Sequence, residues 1–197
     1  VGPRWIRGAN RRAGWGISSD TGSAAVHALS RGSDSEHVGV LGGGPMGLML
    51  TALLVGEGRS VTVADRHAER REQASELGAR GVAELGRHGL VFEAVGSPET
   101  WRAAVSAARP GGVVVLVGGC PYGSSVQLDP HQIHYDELEL RGAFHHAPEE
   151  VDRALELMTT FDWRALLGET ISLSDLRAAL AAPSGGRAAK WVVNPRA

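Results

Sequence analysis

The chain has 197 residues, of which 43% are hydrophobic and 21% charged, and its formal net charge is -2. This composition is typical of a globular protein, and the charge excludes a general attraction to nucleic acid or to an acidic membrane surface. A single cysteine, Cys120, excludes an internal disulfide framework and a multi-cysteine zinc site. No run approaches the roughly 20 apolar residues of a membrane span, and the first 20 residues lack the apolar core of a signal peptide, so we expect a cytoplasmic protein.

Strands and helices are predicted to alternate along most of the chain. Residues 1–19 show no periodicity, and residues 20–36 contain a short helix that Asp20 or Thr21 can cap. Strands are expected at 37–42, 61–65, 90–96, 112–119 and 138–144, with a weak strand beginning at Val82, and a last strand at 190–193. Helices are expected at 45–54, 67–77, 97–109, 148–160 and 174–181, with Ser97 as the cap of the third. Apolar strands between helices predict an α/β fold, a doubly wound, six-stranded parallel sheet of the Rossmann type.

The strongest motif is LGGGPMG, which lies between the first of these strands and its helix. Gly42, Gly44 and Gly47 form the pattern G-x-G-x-x-G, and Pro45 and Met46 complete the loop. Gly42 is expected to make a tight turn, Gly44 to let a pyrophosphate approach the backbone, and Gly47 to let the helix pack closely on the sheet. The N–H groups and dipole of the helix start would then favour phosphate, so the loop predicts dinucleotide binding.

An acidic residue ends the next strand, about 20 residues further on, as the dinucleotide fingerprint requires. The Asp65 carboxylate can accept both ribose hydroxyls of an adenosine and would repel a 2′-phosphate, which favours NAD over NADP. Arg66 favours the opposite choice, because an arginine beside that position can hold a 2′-phosphate. We therefore predict NAD, with NADP as the alternative; a glycine-rich turn followed by a surface carboxylate is the purely structural interpretation.

Four segments resemble the C-terminal cofactor domain of medium-chain dehydrogenases, in particular the zinc-dependent alcohol, polyol and threonine dehydrogenases. They are VGVLGGGPMGLML, VTVADRHAER, VFEAVGSPET and ARPGGVVVLVGG. The resemblance implies an oxidoreductase that passes a hydride between a small alcohol or polyol and a nicotinamide cofactor, within a homodimer that pairs near strand six. It implies a dinucleotide-binding domain over 37–160, after the linking helix at 20–36, and a C-terminal remnant of the catalytic domain's packing over 161–197. A catalytically inactive NAD-binding module stays open as an alternative, and a methyltransferase-like fold as a weaker one.

The resemblance also assigns cofactor contacts by position. They are Asp65 and Arg70 at the adenosine, Val95 and Gly96 at the end of strand four, Val117, Gly118 and Gly119 beside the nicotinamide, Ala143 and His145 at its carboxamide, and Lys190 at the pyrophosphate. For Lys190 a solvated strand end is the other interpretation, since lysine is mostly exposed.

One departure from this family concerns the zinc. The intact enzymes carry a preceding barrel-like catalytic domain with zinc ligands, which residues before Asp20 do not resemble, so that domain is expected to be largely absent here. Asp20 resembles a vestige of one ligand position, although a carboxylate before a helix is usually a cap. His145 and His146 adjoin the nicotinamide end, but neighbouring strand residues point apart and chelate poorly. We assign no metal site and no catalytic residue, and we expect Cys120 to be a packed free thiol.

Overall fold

A computed structural model describes residues 18–157, 166–181, 186–187 and 190–195. The segment 1–17, most of the stretch predicted to be irregular, and residues 158–160, the predicted end of one helix, lie outside the described residues. A π-helical turn (Ser18–Gly22) leads into α1 (Ser23–Ser30), whose N-cap is Gly22 without a side-chain hydrogen bond. The predicted cap by Asp20 or Thr21 is therefore wrong, because the π-helical turn carries both residues past the position from which a side chain caps a helix.

The described chain is built around a sheet of six parallel strands in the order β3-β2-β1-β4-β5-β6. The strands are β1 (His37–Leu41), β2 (Ser60–Ala64), β3 (Arg80–Val82), β4 (His88–Glu93), β5 (Ala108–Leu116) and β6 (Glu139–Gly142). The helices between and after them are α2 (Pro45–Gly56), α3 (Ala68–Glu76), α4 (Pro98–Ser106), α5 (Pro130–Tyr135) and α6 (Pro148–Leu157). The predicted doubly wound fold is confirmed, with β6 at one edge and the order reversing between β1 and β4.

The core lies on both faces of this sheet. Helix α2 is apolar all round and is buried from Gly47 to Leu54, together with Val40 and Phe92 on one face. Val91 and Val114 point to the opposite face, where they pack with residues of α4. Because successive side chains of a strand alternate between faces, these apolar runs bury both faces.

Three local differences separate the structure from the predicted elements. Helix α4 ends at Ser106, and β5 begins already at Ala108, because the pairing of β4 with β5 resumes at Val113 after an irregularity that accommodates residues 109–112. Two short polar elements were not predicted: α5, and β7 (Leu167–Ser172), which pairs with β8 (Lys190–Asn194) in a separate parallel ladder. Helix α7 (Leu176–Ala181) lies between the latter two strands in the chain. In the described ranges no helix combines the length and the apolar character needed to cross a membrane.

Candidate cofactor-binding site

A cleft of about 930 Å³ opens at the carboxyl ends of β1, β2 and β4. This is the point where the strand order reverses, which is the position at which doubly wound sheets bind ligands. Six residues of the predicted set line the cleft, namely Gly42, Gly44, Asp65, Arg66, Arg70 and Val95. The sequence did not indicate several others, including His67, Glu84, Ser97, Glu99 and Thr100.

The three motif glycines meet different steric demands in the loop after β1. Gly42 has a φ of +101°, so it makes the tight turn that the motif predicts. At Gly44 the backbone is extended and an added Cβ would meet no atom within 4 Å, so the loop is open on that side. A Cβ at Gly47 would overlap the carbonyl oxygen of Gly42. The close approach that Gly47 permits is thus mainly to the loop, whereas the sequence predicted contact with the sheet.

The Asp65 carboxylate ties this loop to the turn after β2. It is 9% exposed, and its Oδ2 accepts the N–H of Gly43 at 2.8 Å. Its Oδ1 accepts the N–H of His67 at 2.8 Å and lies 2.9 Å from that residue's ring Nδ1, while the Arg70 guanidinium is 3.6 Å from Oδ2. Burial alone would raise the pKa of Asp65, but the N–H groups of His67 and Gly43, the His67 ring and the Arg70 charge together lower it. The carboxylate is therefore ionised at neutral pH.

These bonds limit what Asp65 can offer a ligand. A carboxylate has about four lone-pair sites. The backbone N–H and the ring Nδ1 of His67 both lie within hydrogen-bond distance of Oδ1, and the Gly43 N–H uses one site on Oδ2. A sugar with two hydroxyl groups would compete with the His67 ring for Oδ1. One signal in the sequence could have found His67: an Asp often accepts the N–H two residues further on, forming an Asx turn before a helix.

The start of α4 forms another wall of the cleft. Ser97 accepts the N–H of Thr100 on its side chain at 3.2 Å, and the Thr100 hydroxyl accepts the N–H of Ser97 at 3.1 Å. This capping box confirms the predicted cap and holds two hydroxyl groups and Glu99 at the rim.

The remaining predicted contacts lie outside the cleft. Val117, Gly118 and Gly119 follow β5, and Ala143 donates its N–H to Leu116 at 3.0 Å just after β6. His145 is exposed, with a φ of +59°, and its ring contacts Phe144. Pro45 and Met46 form the first turn of α2 and are not among the residues that line the cleft.

Lys190 and Asp20, both singled out in the sequence, are brought together in the structure. The Lys190 Nζ lies 3.3 Å from Asp20 Oδ2 in an exposed ion pair, and Lys190 is not among the residues that line the cleft. In this structure the Lys190 ammonium group is thus paired with the Asp20 carboxylate, whereas the resemblance implied a contact with the pyrophosphate of the cofactor.

The described residues provide neither a metal centre nor an activated thiol. Across the described ranges, no group of three or more His, Cys, Asp or Glu side chains lies close enough together to hold a metal ion. Cys120 is half-buried, and burial, followed by the charges of Glu93 and Glu99, raises the pKa of its thiol. A protonated thiol is a weak nucleophile, which agrees with the expectation of a packed free cysteine.

Comparison with known proteins connects this geometry to a family. The sequence profile of the family described as zinc-binding dehydrogenase matches residues 45–160, more than half of the chain. The 2-dehydro-3-deoxy-L-galactonate 5-dehydrogenase of Pseudoalteromonas atlantica is 29% identical in an alignment of 181 positions that covers 83% of this chain and 52% of that protein. The L-threonine 3-dehydrogenase of Chromobacterium violaceum is 29% identical in an alignment of 139 positions that covers 62% of this chain and 40% of the relative.

Solved structures show the same fold. A protein of Sinorhizobium meliloti 1021 assigned to the zinc-binding dehydrogenases and bound to NADP has a TM-score of 0.82 at 26% identity, over 92% of this chain and 59% of its own. The 2R,3R-butanediol dehydrogenase of Bacillus subtilis has a TM-score of 0.78 at 23% identity, over 91% of this chain and 56% of its own. The chain therefore spans about half the length of the relatives that it matches. On the profile match and this agreement of fold, the chain belongs to the zinc-binding dehydrogenase family.

Proposed function

We propose that the chain binds a nicotinamide dinucleotide and serves as the cofactor-binding half of a dehydrogenase that acts on an alcohol or polyol. The observation that carries the proposal is the cleft at the reversal of strand order, with an open Gly44 on one side and an ionised Asp65 on the other. The names of the relatives, which are dehydrogenases of sugar acids and of threonine, support this reaction class.

The residues of the cleft fit the parts of such a cofactor. The backbone at Gly44, Pro45, Met46 and Gly47 opens α2, whose first-turn N–H groups have no acceptors within the helix and favour phosphate. Asp65, Arg66 and Arg70 would hold the adenosine ribose, and the apolar walls contributed by Leu41, Ala94, Val95 and Ala103 would cover the base. When bound, the nicotinamide exchanges a hydride with the substrate, while the protein supplies position and charge.

The choice between NAD and NADP is part of the proposal. We favour NAD because Asp65 is ionised and its charge would face a 2′-phosphate. The opposing charges are Arg66 and Arg70, which line the same cleft. The relatives do not decide between the two, since one solved structure holds NADP and another, from Escherichia coli CFT073, holds NADH.

No step of the reaction is assigned to zinc, because Asp20 is paired with Lys190 and the described residues offer no set of ligands. We propose that the groups that polarise the substrate come from outside the described residues.

We keep a cytoplasmic location and a homodimer as predictions; β6, the strand expected near the subunit contact, does lie at a sheet edge. Light scattering that shows only a monomer would contradict the predicted homodimer.

The proposal is tested by titrating the chain with NADH while following the emission of the reduced nicotinamide, with NADPH, AMP and S-adenosylmethionine as competitors. We expect saturable NADH binding with a Kd of about 1 μM–1 mM, competition by AMP, and none by S-adenosylmethionine. Binding of S-adenosylmethionine measured directly by calorimetry, together with no NADH binding, would instead favour the methyltransferase alternative and contradict the proposal.

A further inference from the structure

A second carboxylate, Glu93, is fully buried at the end of β4, beneath the turns that follow two neighbouring strands. Its Oε1 accepts the N–H groups of Val95 at 3.0 Å and Gly96 at 2.9 Å. Its backbone carbonyl accepts the N–H groups of Val117 and Gly118, both at 2.9 Å. One residue thus bonds the turn after β4 and the turn after β5 to each other.

The two turns are also in close steric contact. A Cβ at Gly118 would overlap the backbone nitrogen of Gly96 and lie 2.7 Å from Glu93 Oε2. Gly96 has a φ of +87°, and a Cβ there would lie 2.6 Å from the carbonyl oxygen of Gly119. From the other side, the Trp101 indole on α4 donates to the Gly118 carbonyl at 2.9 Å. Neither turn can move without the other.

Stability alone does not account for this arrangement. A carboxylate costs free energy to bury unless it is fully hydrogen-bonded, and within the described part of the chain no donor reaches Glu93 Oε2. A smaller polar side chain could cap the turn after β4 at lower cost. The burial of this acidic side chain is therefore better explained by its bonds to both turns than by a gain in stability.

We infer that Glu93 is a positioning residue, which fixes the turns after β4 and β5 as one rigid surface for the second nucleoside of the dinucleotide. The inference rests on the proposed function. A doubly wound sheet binds one mononucleotide on each half, and the end of the cleft that carries Asp65, Arg66 and Arg70 belongs to the half formed by β1, β2 and β3, whereas the turn after β4 closes its other side. The other nucleoside, which carries the nicotinamide, then lies over the ends of β4 and β5. Glu93 acts there only through the backbone that it holds.

Comparing AMP with NADH separates this role from a general effect on folding, because AMP occupies only the adenosine half. The variants are Glu93→Ala, which removes the acceptor, Glu93→Gln, which keeps an acceptor oxygen, and Trp101→Phe, which frees the Gly118 carbonyl. Trp191→Phe is the matched control, because Trp191 lies on β8 in the separate ladder and is not among the residues that line the cleft. Affinity for each ligand is measured by calorimetry, and the emission of bound NADH reports how rigidly the nicotinamide is held.

We expect both Glu93→Ala and Trp101→Phe to bind NADH about tenfold more weakly and to lose most of the emission enhancement of bound NADH. Trp101→Phe should keep its AMP affinity within about twofold, because Trp101 bonds only the turn after β5. Glu93→Ala should lose less affinity for AMP than for NADH, since Glu93 also holds Val95 at the adenosine cleft. Glu93→Gln should rescue NADH binding to within about threefold of the unmodified chain. Equal losses for AMP and NADH, or unchanged NADH binding in Trp101→Phe, would overturn the inference. Should Glu93→Ala fail to fold, Trp101→Phe decides alone. An unmodified chain that binds neither ligand refutes the proposed function itself, and the inference with it.

Discussion

Helix α2 carries two glycines at which the same added methyl group is expected to have opposite effects. At Gly56 an added Cβ meets no atom within 4 Å, so alanine should gain up to about 1 kcal/mol from its higher helix propensity. At Gly47 the Cβ would overlap the Gly42 carbonyl oxygen, a backbone atom that cannot rotate away. Overpacking of this kind costs about 1–3 kcal/mol, which exceeds the gain in propensity. The two variants should therefore differ by about 2 kcal/mol or more in the free energy of unfolding.

Urea denaturation followed by circular dichroism measures this difference. With an m-value of about 2 kcal/mol/M, the midpoints of Gly47→Ala and Gly56→Ala should lie about 1 M apart, with the unmodified chain between them. Because both variants make the same chemical change in the same helix, propensity largely cancels in the comparison. Coincident midpoints would show that the loop relaxes without cost, and would refute the steric argument.

Gly44→Ala completes the series, because it tests binding in place of packing. Its Cβ would project into open space, so no steric clash is expected. Alanine is a poorer N-cap than glycine, which lowers stability, but it also reduces the entropy of the unfolded chain, which raises stability. The two effects nearly cancel, and the free energy of unfolding should change by less than about 1 kcal/mol. The same methyl group would occupy the space through which a pyrophosphate approaches the backbone, and NADH affinity should fall at least about tenfold. Unchanged NADH binding in a folded Gly44→Ala chain would mean that the phosphates lie elsewhere.

Three further predictions follow from single side chains. Ser97→Ala removes the capping box of α4 and should lower the free energy of unfolding by about 1 kcal/mol in urea, and a change under about 0.3 kcal/mol would contradict the cap. The pKa of Asp65 is lowered in the folded chain, so the ionised carboxylate stabilises the fold above the unfolded pKa of about 3.9, and this stabilisation is lost as the pH falls through the folded value. Between about pH 5 and 3 the urea midpoint of the unmodified chain should therefore drop more than that of Asp65→Asn. Parallel pH profiles of the two chains would refute the role of Asp65. His67→Ala removes the ring that contacts Oδ1 of Asp65 but keeps the backbone N–H bond, so a ribose hydroxyl gains one site on that oxygen. The preference for NADH over NADPH should rise about threefold or more in competition titrations, whereas an unchanged ratio would exclude the His67 ring from coenzyme choice.

The sheet could be predicted from the sequence because strands buried on both faces are continuous apolar runs. The segments around Val38–Val40 and Val113–Val115 leave no polar face for a surface strand. By contrast, β7 was missed because residues 167–172 contain few apolar side chains and pair with only one neighbouring strand. The early start of β5 was missed because Pro110 and two glycines indicate a break, although the sheet accommodates them in an irregularity.

The candidate site could be predicted only where the backbone restricts the residue type. A turn with positive φ and a close contact permit little besides glycine, so Gly42 and Gly47 were visible as a motif. Of the N–H groups that bond Asp65, only that of His67 left a signal, the Asx turn, because nothing in the sequence shows that Gly43 approaches the same carboxylate. Glu93 carried one signal that could have been used: it is the charged residue of an otherwise apolar strand end, and such a residue needs a reason to be buried.

Asp65 and Glu93 stabilise the sheet in the same way but differ in what they can do next. Each follows or ends a strand, and each accepts the N–H groups of the turn that leads into a helix. Asp65 retains a small exposed fraction, is paired with Arg70 and lines an open cleft together with Arg66, so a solute can exchange hydrogen bonds with it. Glu93 has no exposed surface, so a solute at the ends of β4 and β5 meets the turns that Glu93 holds in place and not its carboxyl group. On the proposed function, charge would select the ligand on one half of the sheet and the shape of the backbone would orient it on the other, so variants of Asp65 and of Glu93 should impair binding in different ways.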